Sequence, residues 1–171
     1  MPQETIGNAK NLELIAPEKL NNTHDLSAFD CGEKTINEYL WNMALKAQDA
    51  KHAAVYVICI KGTKVVKGFY TLTSGSVMRS EVPKNLRRNS PLQHPVTILG
   101  RLGVDCTVQG RGVAKALLRD AIERSIFAAN TVASSAILVQ ALNENLAHFY
   151  QKHAGFIPSP VLPLTLMLPL K

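Results

Sequence analysis

The stretch Leu102-Gly103-Val104-Asp105-Cys106-Thr107-Val108-Gln109-Gly110-Arg111-Gly112-Val113-Ala114-Lys115 runs from an apolar segment, through a polar turn with two glycines, into a segment of helical spacing. Upstream, Val96 to Asp105 reads as a strand long enough to cross the middle of a sheet. Downstream, Val113, Leu117, Ala121, Ile122 and Phe127 mark the buried stripe of a helix reaching about Asn130. A helix N-terminus presents unpaired backbone N–H groups and the positive end of the helix dipole. Glycines at 110 and 112 remove the side chains that would hold an anion away from those amides. Such a turn cradles a diphosphate; equally, a tight strand-to-helix connection uses glycine for backbone freedom alone. Two phosphate-binding motifs are excluded. A P-loop requires Lys-Ser/Thr after its last glycine, which is absent here. A dinucleotide fold requires a third glycine and an early β-α-β unit, whereas this turn sits two-thirds of the way along the chain.

Outward from the turn, the pattern is that of one α/β domain spanning 1–171, with the order β-α-β-β-β-α-β-α-β. Leu12 to Ile15 reads as a first strand ending at Pro17, and Glu33 to about Ala50 as one amphipathic helix. Val55–Ile60 and Val65 to about Ser74 form a hairpin over Lys61-Gly62-Thr63-Lys64. Arg79 to Pro95 reads as a long surface connection with few core residues. Ala136–Ala141 is a buried strand, and Asn145–His153 is a helix stopped by Gly155. Leu164–Leu168, set between prolines, reads as an edge strand. The expected sheet is mixed and mostly antiparallel, flanked by helices.

The 171 residues are 46% hydrophobic and 19% charged, an ordinary globular balance. No run approaches the roughly 18–20 apolar residues of a membrane span, and Met1 to Thr5 does not open a signal peptide. Cys31, Cys59 and Cys106 are too scattered for a disulfide framework or a zinc site, which points to reduced thiols in the cytoplasm and no metal. The formal charge of +6 is uneven. Residues 1–50 hold four basic and eight acidic side chains, and residues 51–171 hold fifteen and five. A basic surface of this kind favours a polyanion: nucleic acid, a phosphorylated cofactor, or both.

The turn Gln109-Gly110-Arg111-Gly112-Val113-Ala114 resembles the Arg/Gln-x-x-Gly-x-Gly/Ala pattern of the GNAT superfamily of N-acetyltransferases. Asn143-Glu144-Asn145 at the next helix start, and Phe149-Tyr150 with Gly155-Phe156, match two further segments of that superfamily in the right order. Phe29-Asp30-Cys31-Gly32-Glu33, Asn37-Glu38-Tyr39-Leu40, Gly75-Ser76-Val77, Leu99 to Asp105 and the ending Pro158 to Leu168 are similar to the GNAT toxins of bacterial type II toxin–antitoxin systems. That resemblance covers about Leu12 to Leu168. It implies transfer of acetyl from acetyl-coenzyme A to the α-amino group of aminoacyl-tRNA, which arrests translation. It also implies a ribbon-helix-helix antitoxin, whose complex with the toxin binds operator DNA, and a homodimer. One position departs from the pattern: Gly103 stands where the toxins are expected to carry Ala, a change expected to soften the strand and weaken activity.

The resemblance also assigns roles. Leu102, Gly103 and Val104 would bond the acetyl and pantetheine groups through their backbone, with one N–H polarising the thioester oxygen. Gln109, Gly110, Arg111, Gly112, Val113, Ala114 and Lys115 would hold the diphosphate, and Asn145 would contact the pantetheine or diphosphate. Tyr150 would act as general acid, since a phenol of pKa ~10 is protonated at neutral pH and can donate to a leaving thiolate of pKa ~8.5. Spacing alone would leave Tyr150 a half-buried helix residue.

No general base is evident. His148 and His153 read as solvated helix residues, and Asp105 as a cap for the following turn. A lysine amine of pKa ~10.4 is neutral to about 0.04% at pH 7, against roughly 15% for an α-amine of pKa ~7.7. An enzyme without a strong base therefore suits an α-amino acceptor. Arg79, Lys84, Arg87 and Arg88, against Glu81, read either as a solvated loop or as a contact to tRNA phosphates or an acidic antitoxin. Competing functions are a protein or small-molecule N-acetyltransferase and a catalytically idle binding module. Retention of Tyr150 and of the intact turn disfavours the latter.

Overall fold

The computed structural model describes Leu12 to Lys171; the reading of Met1 to Thr5 lies outside the described residues. Among the described residues, seven strands and four helices follow one another as β1 Glu18–Lys19, α1 Lys34–Asn42, α2 Ala44–Asp49, β2 Ala54–Cys59, β3 Val66–Met78, β4 Gln93–Val104, α3 Val113–Ala128, β5 Ala136–Gln140, α4 Glu144–Ala154, β6 Ile157–Pro158 and β7 Thr165–Pro169. The strands lie in the order β1-β2-β3-β4-β5-β7-β6. β1 with β2, β5 with β7 and β6 with β7 pair antiparallel, while β4 and β5 pair parallel. The parallel pair is joined through α3, as a crossover connection requires. The expected mixed, mostly antiparallel α/β sheet is therefore present.

The chain divides into two compact units: residues up to Thr71 with Arg101–Leu118, and Leu72–Gly100 with Arg119–Lys171. In the first unit, Leu20, Phe29, Leu40, Ala44, Val55, Val57, Cys59, Val66 and Phe69 form one buried cluster. The hairpin between β2 and β3 closes with Ile60 N–H on the Val65 carbonyl at 3.0 Å, and Gly62 supplies φ +79° at its tip. In the second unit, Val82, Val96, Ala136, Leu138 and Met167 form another cluster. Leu138 lies opposite Met167 on β7, and its parallel partner on β4 is Ile98.

Several expectations are corrected. The first strand is not Leu12–Ile15. That segment makes only an isolated bridge, Leu14 to Ile60, and the paired residues are Glu18 and Lys19, beyond Pro17, which has no N–H to extend a ladder. The single helix over 33–50 is two, broken at Met43 with φ −120° and ψ −32°. Leu40 before the break and Ala44 after it are both fully buried, so the apolar spacing runs on across the interruption and conceals it. Phe127 is 77% exposed, whereas Leu118 and Ser125 complete the buried stripe of α3. Ser125 can lie there because its hydroxyl donates to the Ala121 carbonyl at 2.7 Å.

The connection after β3 is shorter and better anchored than expected. β3 runs on to Met78, β4 starts at Gln93, and two 3₁₀ turns, Arg79–Glu81 and Lys84–Leu86, fill the gap. Val82 between them is a core residue, 1% exposed. β7 is not an edge strand either, because the two-residue β6 covers it at Leu166 and Met167. Pro163 lies outside β7 and Pro169 ends it, so neither proline is asked for a ladder hydrogen bond within the strand.

Below β4, Asp105 is 2% exposed and Lys67 is 9% exposed. Asp105 Oδ1 accepts from Thr107 N at 2.9 Å and Thr107 Oγ1 at 2.5 Å, with Lys67 Nζ at 3.5 Å. Its Oδ2 accepts from Asp30 N at 3.0 Å. Burial by itself would raise the Asp105 pKa, but the Thr107, Asp30 and Lys67 interactions outweigh it and hold the carboxyl below the ordinary carboxylate value. Its stabilising contribution is thus present above the ordinary carboxylate pKa and is lost as pH falls through the lower folded value. Asp105→Ala leaves the Lys67 ammonium buried and unpaired and should cost about 3–5 kcal/mol, read as a lowered urea midpoint at pH 7. The gap to wild type should narrow as the pH is lowered through 4.

Candidate active site

In the first unit, Asp105 caps the short 3₁₀ turn Cys106–Val108 through Thr107 N. This is the role expected of it, and with its oxygens occupied it has no capacity to act as a base. The capped turn sets the direction in which the chain leaves β4. Gln109 then braces the exit: its Nε2 donates to the Val104 carbonyl at 2.8 Å and to the Cys31 carbonyl at 3.1 Å. The side chain of Gln109 therefore holds the loop to the strand end through its amide nitrogen. Gly110 and Gly112 adopt φ +78° and +81°, and a Cβ on either would meet nothing within 4 Å. Gly110, Arg111, Gly112 and Lys115 are exposed, while Val113 is buried and begins α3.

An open, left-handed glycine turn feeding the first turn of a sixteen-residue helix, with two cations beside it, fits a diphosphate. The ladder from β5 to β4 uses Val96 to Leu99, and Leu102, Gly103 and Val104 lie beyond it. The Val104 carbonyl is already taken by Gln109. Arg111 donates from Nη2 to the Leu12 carbonyl at 2.6 Å. A cleft of about 530 Å³ beside it is lined by Leu12, Glu13, Leu14, Ile58, Arg111, Gly112, Val113 and Ala116.

At Gly103 a Cβ would lie 2.9 Å from Ile36 Cγ2, 3.2 Å from Phe69 Cε1 and 3.4 Å from Phe29 Cζ. The space an alanine methyl would need is occupied, so the strand is backed by close packing at this point and not by a void.

In the second unit, Tyr150 projects from α4 and is 8% exposed. Its ring meets Phe149 edge-on at 5.5 Å and Phe156 at 5.6 Å. Gly155, at φ +74°, ends the helix and lets Phe156 turn back to bond the Tyr150 carbonyl at 3.3 Å. Burial pushes the phenol up to about 12, so the proton is held more firmly than sequence alone suggests. Asn143 caps α4 by accepting from Leu146 N at 2.9 Å, which places Asn145 exposed on the first turn. His148 and His153 are exposed, as expected.

Arg79, Lys84, Arg87 and Arg88, with Met78, Ser80 and Leu92, line a cleft of about 630 Å³. Arg79 Nη1 donates to the Ser90 carbonyl at 3.1 Å and Arg87 Nε to the Val82 carbonyl at 2.7 Å. Glu81 Oε1 is spent on Met78 N. Arg79, Lys84 and Arg88 are exposed, and Arg87 is half-buried, so the segment presents its cations to solvent beside this cleft.

Sequence reasoning missed Lys67 and the bracing role of Gln109. A single lysine inside the apolar run Val66-Lys67-Gly68-Phe69-Tyr70 was the available signal for the first.

Residues 21–156 match the acetyltransferase (GNAT) family, and the chain belongs to it. It is an acetyl-coenzyme A-dependent N-acetyltransferase. It is 42% identical over 156 residues to the tRNA-acetylating toxin of Mycobacterium tuberculosis, covering 91% of this chain and 92% of that protein. Among solved structures it is similar to AtaT complexed with acetyl-methionyl-tRNAfMet, with a TM-score of 0.85 and 31% identity over 92% of this chain and 95% of the other. It is also similar to a tyrosine-to-phenylalanine mutant of AtaT bound to the C-terminus of the antitoxin AtaR and acetyl-coenzyme A. There the TM-score is 0.76 and the identity 30%, over 92% and 93% of the two chains.

Gly112→Ala forces a side chain into the left-handed region, which should cost the free protein about 1 kcal/mol. No neighbour clashes with the added methyl, so the larger effect should fall on the diphosphate. The KM for acetyl-coenzyme A should rise about tenfold or more, measured by steady-state acetylation beside a urea unfolding curve.

Proposed function

We propose that the chain is the toxin of a type II toxin–antitoxin system and acetylates the α-amino group of charged tRNA in the cytoplasm, blocking translation. The observation that carries this reading is the end-to-end similarity to a tRNA-acetylating toxin at 42% identity. The four-cation cleft supports it, since Arg79, Lys84, Arg87 and Arg88 suit a phosphate backbone. The whole chain acts as one domain and forms a homodimer. A ribbon-helix-helix antitoxin neutralises it, and their complex binds operator DNA; the four-cation cleft is equally suited to an acidic segment of that antitoxin.

Acetyl-coenzyme A supplies the activated acetyl group and the thiolate that leaves. The backbone of Leu102 and Gly103 orients the thioester, one N–H polarising its oxygen. Amides of Gly110 to Lys115, with the charge of Arg111 and Lys115, hold the diphosphate. Asn145 contacts the cofactor arm from α4. Tyr150 donates its phenolic hydrogen toward the departing sulfur, its surroundings of Phe149 and Phe156 keeping water from competing for that hydrogen. The acceptor amine arrives neutral, so no base is needed to ready it for attack; the proton it sheds as the amide forms passes through solvent and replaces the one Tyr150 gives to the sulfur.

Expression without an antitoxin should stop bacterial growth, and Tyr150→Phe should relieve the arrest while retaining binding of acetyl-coenzyme A by calorimetry. Incubating the purified chain with labelled acetyl-coenzyme A and total charged tRNA should place the label on an aminoacyl ester. Label found on protein alone would favour an N-acetyltransferase acting on protein instead.

The pH dependence follows from two groups. kcat/KM should rise between pH 6 and 8 as the α-amine, of pKa ~7.7, loses its proton. It should then stay level past pH 10, because the Tyr150 phenol remains protonated until about 12. A fall centred on pH 10, after correction for ester hydrolysis, would show a tyrosine in ordinary surroundings and remove burial from the account.

A further inference from the structure

Arg101 stands one residue ahead of Leu102-Gly103-Val104 on β4 and is exposed. Its guanidinium carbon lies 3.8 Å from the centroid of the Tyr39 ring. Tyr39 stacks near-parallel on Phe69, with centroids 6.4 Å apart and planes at 15°. Phe69 meets Phe29 edge-on at 5.6 Å, and both of those phenylalanines are fully buried. An exposed cation is thus tied to the core of the first unit through three rings. Its backbone is fixed as well, with Arg101 N donating to the buried Thr71 Oγ1 at 3.1 Å.

The same aromatic group backs the strand that receives the thioester. Side chains two apart on a strand share a face, and the missing Cβ of Gly103 points at Ile36, Phe69 and Phe29. Arg101 therefore rises beside the proposed acetyl site on a support that is already rigid.

Five of the six other arginines spend guanidinium donors within the chain: Arg79 on Ser90, Arg87 on Val82, Arg111 on Leu12, Arg119 on Glu123 and Arg124 on Asp120, whereas Arg88 is an exposed residue with no such ring support. Among the described residues, no carboxylate and no hydrogen bond engages the guanidinium of Arg101. A leucine would cover the Tyr39 ring equally well, so a packing role does not account for an arginine there. What arginine adds is a planar fork of N–H donors, held in one orientation by the ring beneath it, which matches two oxygens of a phosphate.

We propose that Arg101 is a specificity-determining residue that binds the phosphodiester nearest the esterified ribose at the 3′ end of the acceptor RNA, with Tyr39 as its positioning residue. The proposal rests on the reading of charged tRNA as the acceptor. The aminoacyl group hangs from the terminal ribose, so an amine delivered to Leu102–Val104 brings that phosphate close behind it. A free amine or amino acid brings no such anion, and the contact separates nucleotide-borne acceptors from them.

The test compares wild type, Arg101→Gln, Arg101→Lys, Tyr39→Phe and Tyr39→Leu in the full chain. Each is assayed with charged tRNA and with the methyl ester of the same amino acid. Arg101→Gln should raise the KM for charged tRNA about tenfold or more, with a much smaller change in kcat. The preference for tRNA over methyl ester, as a ratio of kcat/KM values, should fall by a similar factor. The slope of log kcat/KM against log salt should become shallower by about 0.7, as for one lost single-strand phosphate contact. Arg101→Lys should keep the salt slope but lose part of the preference. Tyr39→Phe should behave as wild type, whereas Tyr39→Leu should shift KM in the direction of Arg101→Gln. An unchanged KM for tRNA in a folded Arg101→Gln or Arg101→Lys protein overturns the proposal. So does an equal loss with the methyl ester, or a rise confined to the KM for acetyl-coenzyme A. If the wild-type chain acetylates no charged tRNA, the acceptor reading itself fails and this inference fails with it; a wild type active on tRNA beside indifferent Arg101 variants removes the inference alone.

Discussion

The carboxylate of Asp105 is the constraint on which the first unit turns. It is nearly inaccessible to water, yet it is the meeting point of Lys67 from β3, Asp30 from the loop before α1, and Thr107 from the turn after β4. A buried carboxylate is tolerated only when its oxygens are satisfied, so each of these segments has one position relative to the end of β4. The arrangement continues outward. Asp105 N bonds the Lys67 carbonyl at 2.8 Å, Cys106 N bonds the Asp30 carbonyl at 2.8 Å, and Asp30 itself receives Gly32 N and Asn37 Nδ2. The glycine turn is therefore aimed by a polar network and held by Gln109, so its amides are in place before a ligand arrives.

In the function proposed, donor chemistry and acceptor chemistry draw on different materials of this chain. The donor side would rely on backbone: the strand end at Leu102 and Gly103, two left-handed glycines and a helix terminus. Backbone dipoles held rigid serve a ligand that is the same in every turnover. On the acceptor side the proposal draws on side chains with long reach, the cations around the 630 Å³ cleft and Arg101 on its aromatic support. Tyr150 belongs to neither set. Its surroundings are apolar, and they raise the phenol to about 12, which makes it a firm hydrogen-bond donor at any physiological pH.

The hairpin at Gly62, the β4–turn–α3 passage and the cap at Gly155 were legible in the sequence, because each is dictated by local chemistry: periodicity, left-handed glycine or a helix terminus. The break at Met43 was not. No glycine or proline marks it, and Leu40 and Ala44 keep helical spacing across it. Nor was β6 legible, since two residues cannot establish a period and Ile157-Pro158 pairs only because β7 is already in place. Val82 looked like part of a proline-rich surface loop, and its burial follows from the two 3₁₀ turns that fold it inward.

Family membership, the acetyl donor and the position of the left-handed glycine turn before α3 were determined by the sequence alone, since glycine, helix start and strand end act over a few residues and leave a pattern in order. What only tertiary structure decided is how those residues are employed. Gln109 faces its own strand, Gly103 is filled by Ile36 and two phenylalanines, Tyr150 sits at high pKa, and Arg101 stands on Tyr39 with its donors unspent. Each of these depends on a partner distant in sequence or on exclusion of water, and neither is encoded in the spacing of neighbouring residues.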